Sequence, residues 1–196
     1  GGEGGESGEG GERGAAVMDA EVDILVALSL IEGHLRAGTT LYAEGATDHA
    51  ATHMKHPADE IYTDLAAELE EHGLPGFADE LTALSEAAAA GAPADEVSAA
   101  FDAVLARLDG LRADLDASTA DVLAAAALVV RTGAEEYSVG VAEDGTLTDA
   151  HEYQDAWGFV QATRRALERA GATEALAALD EAQSAFDGVN PTSVPN

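Results

Sequence analysis

The chain contains no cysteine, which excludes disulfide bonds, thiolate metal ligands, covalent c-type haem attachment and cysteine nucleophiles. Basic residues are also scarce: 9 Lys and Arg stand against 38 Asp and Glu, for a net charge of -29, and Lys55 is the only lysine. Binding to phosphates requires clustered Lys and Arg, so the composition argues against nucleic acid and against an anionic membrane surface as partners. Cations are the natural partners, as metal ions or as a basic protein.

Aromatic residues make up only 5% of the chain, and there is no long β-branched run and no Asn-Gly hairpin signal. The hydrophobic fraction is 46% and is rich in Ala and Leu, which are strong helix formers. We therefore predict an all-α helical bundle. No stretch forms an uninterrupted apolar run of about 18 residues, so no membrane-spanning helix is expected.

Helical periodicity begins soon after a Gly-rich start. Ile24, Leu28 and Ile31 recur at helical spacing, while Gly33 and Gly38 inside the same stripe either weaken the helix or mark close packing. Asp48 is expected to cap the next helix, and Pro57 is expected to kink or break it. Helices are predicted at about 16–45, 49–55, 58–72, 77–90, 93–116, 118–141, 148–171 and 173–186.

The order of motifs suggests a four-helix-bundle-like domain made of two related helical hairpins. Each half carries an apolar helix, then Tyr with Gly three residues later, then Asp and His close together: Tyr42, Gly45, Asp48 and His49 in the first half, and Tyr137, Gly140, Asp149 and His151 in the second. Duplication explains this pattern, and so does chance in a chain rich in Ala and Gly.

Residues 1–15 are predicted to be a flexible, disordered Gly/Glu-rich linker, 16–187 the bundle domain and 188–196 a C-terminal tail. The opening 1–14 looks like the spacer that follows the lipid-bearing cysteine of a mature lipoprotein, with the cysteine missing. We expect an extracytoplasmic protein, periplasmic or at the cell surface, with a membrane link only through an N-terminal lipid anchor. An ordinary disordered tail is the alternative.

The main candidate site is a stripe of His49, His53, His56 and Glu60, spaced four, three and four residues apart. On an unbroken helix these positions stay within about 60° of each other, so one face presents three imidazoles and a carboxylate. Such donors suit Fe, Zn and Cu. His34 and Glu32 are candidates to complete the metal site, and a solvated polar face is the alternative reading.

A second candidate metal cluster is formed by His151, Glu152 and Asp155 near the start of a later helix. His151 and Asp155 share a helix face, although acidity at a helix start and capping explain the same residues. The chain has no G-x-S-x-G, H-E-x-x-H, phosphate-loop or dinucleotide fingerprint, so we expect no enzyme. A di-metal oxidase needs paired Glu-x-x-His motifs, which are absent.

Two segments resemble extracytoplasmic helical domains associated with oxidase-dependent iron permeases: residues 136–160 and residues 32–62. The matching positions in the first are Tyr137, Gly140, Val141, Asp144, Gly145, Glu152, Tyr153 and Asp155. The chain is also similar to imelysin-like iron-uptake proteins, but Ala37 stands where their H-x-x-E signature after His34 requires Glu. The permease membrane segments and their R-E-x-x-E motif are absent.

This resemblance implies an iron-uptake accessory with a permease or other uptake protein as partner. Together with the histidines it leads to the hypothesis of a metal-binding protein in uptake or delivery, for iron first, then copper, with zinc as a further candidate. The competing hypothesis is a non-catalytic acidic adaptor or structural domain that binds no metal.

Overall fold

The computed structural model describes residues 19–191, apart from the side chains of residues 58 and 59. Within that range the chain is helical, which confirms the predicted all-α class. The elements are α1 (Ala20–Ala43), α2 (Thr47–His56), a π-helical turn (Pro57–Ile61), α3 (Tyr62–Glu71), α4 (Ala78–Ala89), α5 (Ala94–Asp114), α6 (Thr119–Gly140), α7 (Ala150–Arg169) and α8 (Thr173–Gln183). The predicted linker 1–15 lies outside the described residues, as does 192–196.

Helix α1 is the centre of the bundle, because its apolar residues point in every direction. It packs against α2, α3, α5, α6 and α7, and Ile24, Leu28 and Leu35 are completely buried. Among the described helices, α1 is long and apolar enough to cross a membrane, so the expectation that no stretch qualifies was wrong. In its most apolar window 83% of the residues are buried inside the protein, as in the core helix of a bundle.

Two helical hairpins, α1–α2 and α6–α7, supply the helices that build the site described below. The repeat between the two hairpins is longer than the predicted one, because Arg, Gly, Tyr and Gly occur in both with the same spacing. In each hairpin the first glycine packs against the following helix: Gly38 lies against Ala50 and Met54, and Gly133 lies against Ala156 and Phe159. The two glycines therefore have the same packing role in their hairpins, while duplication itself stays a prediction. The recurring residues are Arg36, Gly38, Tyr42 and Gly45, and Arg131, Gly133, Tyr137 and Gly140.

The predicted boundaries need one correction around α2. Asp48 is not the N-cap, because α2 already begins at Thr47 and no side chain caps it. At Pro57 the regular α-helix is interrupted, as predicted, but the backbone stays helical and widens into the π turn, where the N–H of Tyr62 donates to Pro57 O. A π turn accommodates the missing proline N–H within a continuous helical path.

Two of the later helices begin at side-chain caps, close to the predicted starts. Ser118 forms a capping box with Asp121 at the start of α6, and Asp149 accepts a hydrogen bond from the N–H of His151 at the start of α7. The beginning of the predicted tail is packed rather than loose: Val189 is buried, and the hydroxyl of Tyr153 donates to Gly188 O.

Candidate metal centre

Helices α1 and α7 cross with their backbones in contact. The crossing point is Gly33 against Gly158, where a Cβ atom on Gly158 would overlap the backbone oxygen of Gly33. A Cβ on Gly33 would come within 2.5 Å of the Phe159 ring. Glycine is therefore required on both helices, and the close approach carries His34 of α1 to Asp155 of α7.

Helix α2 approaches α1 in the same way. A Cβ on Gly38 would come within 3.1 Å of Ala50 O and within 3.2 Å of His53 Cβ. This packing turns His53 into the protein interior, where it is completely buried. Three helices thus deliver imidazoles and a carboxylate to one place.

The carboxylate of Asp155 is the centre of this arrangement, and we refer to Asp155, His34, His53, His56 and His151 as the histidine cluster. Asp155 Oδ1 lies 2.6 Å from His34 Nδ1 and 2.9 Å from His53 Nδ1. Its other oxygen, Oδ2, lies 3.3 Å from His151 Nε2. Two imidazole nitrogens therefore converge on one carboxylate oxygen in a dry environment.

The rings of the remaining histidines pack around this centre. His56 lies edge-on to His34 with ring centroids 5.1 Å apart, and His151 stacks on His53 at 4.3 Å. Phe159 covers the other side of His34, with its ring edge-on at 4.9 Å. The cluster is therefore shielded by apolar packing on one side and opens toward the partly exposed His151 on the other.

Gln154 contacts the far side of the His53 ring. His53 Nε2 lies 2.9 Å from Gln154 Oε1, a hydrogen-bond distance that fixes the orientation of the ring. His53 Nδ1 lies 2.9 Å from the Asp155 oxygen. A buried carboxylate with imidazoles this close needs a cation beside it, and a proton or a metal ion can serve.

The electrostatics of the cluster follow from burial. Desolvation opposes ionisation of Asp155, but His34 and His53 outweigh it and hold the pKa of that carboxyl well below its usual range. Burial, together with the nearby His34, lowers the pKa of His56, and burial likewise lowers the pKa of His151, with Asp155 acting in the opposite direction. Lowered histidine pKa values favour the neutral imidazole that metals require.

The geometry of the three buried ligands is close to that of a metal site. One donor atom from each of His34, His53 and Asp155 can be chosen so that all three lie within 4.8 Å of one another. Metal–ligand bonds of about 2.0–2.2 Å at tetrahedral angles place neighbouring donors about 3.3–3.6 Å apart. The observed N–O distances of 2.6 and 2.9 Å are shorter, so these two contacts need to lengthen by up to about 1 Å to hold an ion.

The structure divides the predicted stripe. His53 and His56 lie in the cluster, whereas His49, one turn nearer the hairpin loop, is exposed. Glu60 lies in the π turn with Oε1 3.7 Å from His56 Nδ1, and its side chain is 52% exposed. Of the second predicted cluster, His151 and Asp155 join the same centre, and Glu152 is half-buried beside them. Residues from both predicted metal sites therefore lie together in the histidine cluster.

Glu32 lies in a different environment, which we call the arginine cluster: Glu32, Asp109, Arg36, Arg112, Arg165 and Arg169. The completely buried Glu32 accepts from Arg36 Nε at 2.8 Å and from Arg112 Nη1 at 2.7 Å. Arg165 Nη1 lies 3.4 Å away. Glu32 thus joins α1 to α5 and α7 through guanidinium groups, and its carboxylate is engaged there.

The sequence analysis did not predict Gln154 and Phe159 as parts of the site, because glutamine and phenylalanine are not typical metal ligands. A signal for Asp155 does exist in the hairpin repeat. His53 follows His49 by four residues, and Asp155 follows His151 by four residues, so the imidazole and the carboxylate occupy equivalent positions of the two hairpins.

Comparison with protein-family models, curated proteins and solved structures finds no match to this chain. The resemblance to iron-permease-associated domains therefore stays a prediction.

Proposed function

We propose that this protein binds a transition-metal ion at His34, His53 and Asp155, with His56 and His151 flanking the ion. The observation that carries the proposal is the pair of Nδ1 atoms, of His34 and His53, that lie 2.6 and 2.9 Å from a single buried carboxylate oxygen. A cation at that point would satisfy two imidazoles and a carboxylate at once. Convergence of four histidines, of which His34 and His53 are buried, also favours metal binding over a solvated polar face.

The donor set favours iron. Two imidazoles and one carboxylate, with further positions left for other ligands, suit Fe(II), while the additional imidazoles suit copper and zinc. All donors are nitrogen or oxygen, because the chain has no cysteine. An ion held by such donors exchanges more readily than one in a thiolate site, as a delivery protein requires.

We further propose that the protein acts outside the cytoplasm as an accessory in metal uptake, handing the ion to a permease or another uptake protein. The support for this role is the resemblance of residues 32–62 and 136–160 to iron-uptake domains, together with an acidic surface that attracts cations. The proposal is binding and transfer, without catalysis.

Metal titration of the purified chain tests the proposal. We expect one Fe(II), Cu(II) or Zn(II) ion per chain, with affinity that falls steeply between about pH 7 and pH 5, because imidazoles lose metal as they gain protons. The affinity should survive molar salt, since a buried site is poorly screened. His53→Ala and Asp155→Asn should each lower affinity by about 100-fold or more, beyond what outer-shell losses cost.

His72→Ala is the matched control, because that histidine is exposed at the end of α3 and donates to Glu68 O. It should leave affinity unchanged, and His151→Ala should cost less than His53→Ala. Binding that persists at pH 5 but disappears in salt would mean diffuse attraction to the acidic surface. That result, or the absence of any stoichiometric ion, would favour the metal-free adaptor.

A further inference from the structure

The histidine cluster has two sides that differ in exposure. On one side His56 lies against His34, with its side chain 11% exposed and its Nδ1 3.7 Å from Glu60 Oε1. On the other side the side chain of His151 is 27% exposed, and its Nε2 lies 3.3 Å from Asp155 Oδ2. The side formed by His151 is therefore the more open one, and it contacts the buried carboxylate directly.

The two oxygens of Asp155 lie next to different histidines. Oδ1 lies 2.6 Å from His34 Nδ1 and 2.9 Å from His53 Nδ1 in the interior, whereas Oδ2 lies beside His151. The Asp155 side chain itself is only 3% exposed. One carboxylate thus connects a buried pair of imidazoles with an imidazole that solvent reaches, and a metal ion can pass from one of its oxygens to the other without leaving it.

The spacing of the donor atoms also differs between the two oxygens. Neighbouring ligands of a tetrahedral metal ion with bonds of about 2.0–2.2 Å lie about 3.3–3.6 Å apart. The outer pair of donors, His151 Nε2 and Asp155 Oδ2, is already separated by 3.3 Å, whereas the inner contacts of 2.6 and 2.9 Å have to lengthen. The outer pair can therefore hold an ion before the inner ligands open.

Local structure positions the outer pair. His151 and Asp155 are four residues apart on α7, so they share one face of the helix, a spacing with which a single helix supplies two ligands to a metal ion. The His151 ring stacks on His53 with centroids 4.3 Å apart and planes 12° from parallel, which holds it against the cluster. Glu152, in the first turn of α7, adds negative charge at the same opening and favours the approach of a cation.

We propose that His151 Nε2 and Asp155 Oδ2 form an outer binding site through which a divalent metal ion enters the histidine cluster and leaves it. The ion binds first to this pair, with water completing its coordination, and then moves to His34, His53 and Asp155 Oδ1 while Asp155 stays bound. A ring nitrogen that carries a proton releases it to solvent before it binds the ion. This inference rests on the proposed metal site, because the outer pair serves as an entrance only if the inner ligands hold the ion.

Stopped-flow binding of Cu(II) to the full chain in molar salt tests this route. The signal is quenching of the fluorescence of Trp157, the only tryptophan, which follows Asp155 by two residues on α7. His151→Ala should slow association about tenfold or more and slow dissociation by a similar factor, because the ion uses the same path in both directions. The equilibrium affinity should therefore change by less than about threefold. If the imidazole merely covered the opening, its removal would instead speed both rates.

His56→Ala, on the opposite side of the cluster, is the matched control, and its association rate should stay within about twofold of that of the unmodified protein. Circular dichroism verifies folding, and His151→Leu, which keeps apolar packing against His53, replaces His151→Ala if that variant is unfolded. Unchanged or faster association in the folded His151 variant, or slower association in His56→Ala alone, would overturn the route, although Cu(II) bound at equilibrium would still support the metal site. Absence of bound Cu(II) in the unmodified protein would overturn both.

Discussion

The arginine cluster and the histidine cluster lie almost side by side on α1, since Glu32 and His34 are separated by one residue, yet they balance their buried carboxylates differently. Glu32 is balanced by guanidinium groups, which stay charged at every ordinary pH. Burial opposes the charge of Arg165, but Asp109 and Glu32 raise its pKa further. In contrast, the basic side chains that the described residues place at ion-pair distance from Asp155 are all imidazoles.

Buried carboxylates therefore have two different roles in this fold. The arginine cluster is balanced by the protein itself, so it serves to hold α1, α5 and α7 together. The histidine cluster is balanced only when a proton or another cation is bound, so its state depends on the solution. Cation exchange is therefore expected at Asp155 and not at Glu32.

The largest expected effect comes from breaking the arginine cluster. Glu32→Gln keeps the shape of the side chain but leaves buried guanidinium groups without a counter-charge, which should lower the free energy of unfolding by about 3–5 kcal/mol. Urea denaturation measures the loss. The control is Glu80→Gln, which removes a partly exposed pair with Arg107 and should cost about 0–1 kcal/mol.

If Glu32 is structural, the folded Glu32→Gln protein should bind metal with unchanged affinity. A large loss of metal affinity without a loss of stability would instead assign Glu32 to the metal site, and the contrast between the two clusters would fail.

A medium effect is expected at the helix crossing that both clusters share. Gly158→Ala forces α7 away from Gly33, so it should destabilise the protein by about 1–3 kcal/mol and also weaken metal binding, because His34 and Asp155 separate. The matched control is Gly110→Ala in α5, where an added Cβ meets nothing within 4 Å.

Gly110→Ala should stabilise the protein by about 0.5–1 kcal/mol, since alanine favours the helix. Thermal unfolding and metal titration of both variants distinguish the effect of lost close packing at Gly158 from the general effect of alanine on helix propensity. Equal behaviour of the two glycine variants would show that the close crossing does not position the site.

The smallest effect is the pH response of the metal-free protein. His56 and His151 have pKa values lowered mainly by burial, so the unfolded chain binds more protons than the folded one below the ordinary value of about 6.5. Their contribution is complete above that pH, and stability should fall as pH drops from about 6.5 toward 5, where Asp155 remains ionised. Urea midpoints at pH 7.5 and pH 5.5 measure the change.

Replacing both histidines with glutamine should flatten this response, whereas the exposed His72→Gln should leave it unchanged. A response that persists undiminished in the double variant would mean that other groups produce it. A midpoint that is the same at both pH values would contradict the predicted direction.

Much of the fold was predictable because the signals for it are local. Alanine and leucine content indicates helix, Ser118 and Asp149 mark helix starts, and turn residues such as Gly73 and Gly171 end helices within a few residues of their own position. The error at Asp48 is smaller than one helical turn, since α2 begins at Thr47.

The sequence by itself determined the helical class, the absence of thiolate chemistry, the acidic charge and the set of available histidines. Only the tertiary structure decided which of them meet. Gly33 and Gly158 allow α1 and α7 to touch, and this contact joins His34 to Asp155 across 121 positions of sequence. The same packing buries His53, leaves His49 exposed to solvent and pairs Glu32 with arginine side chains. Local sequence patterns do not predict these outcomes, because they depend on how closely the helices pack in the folded protein.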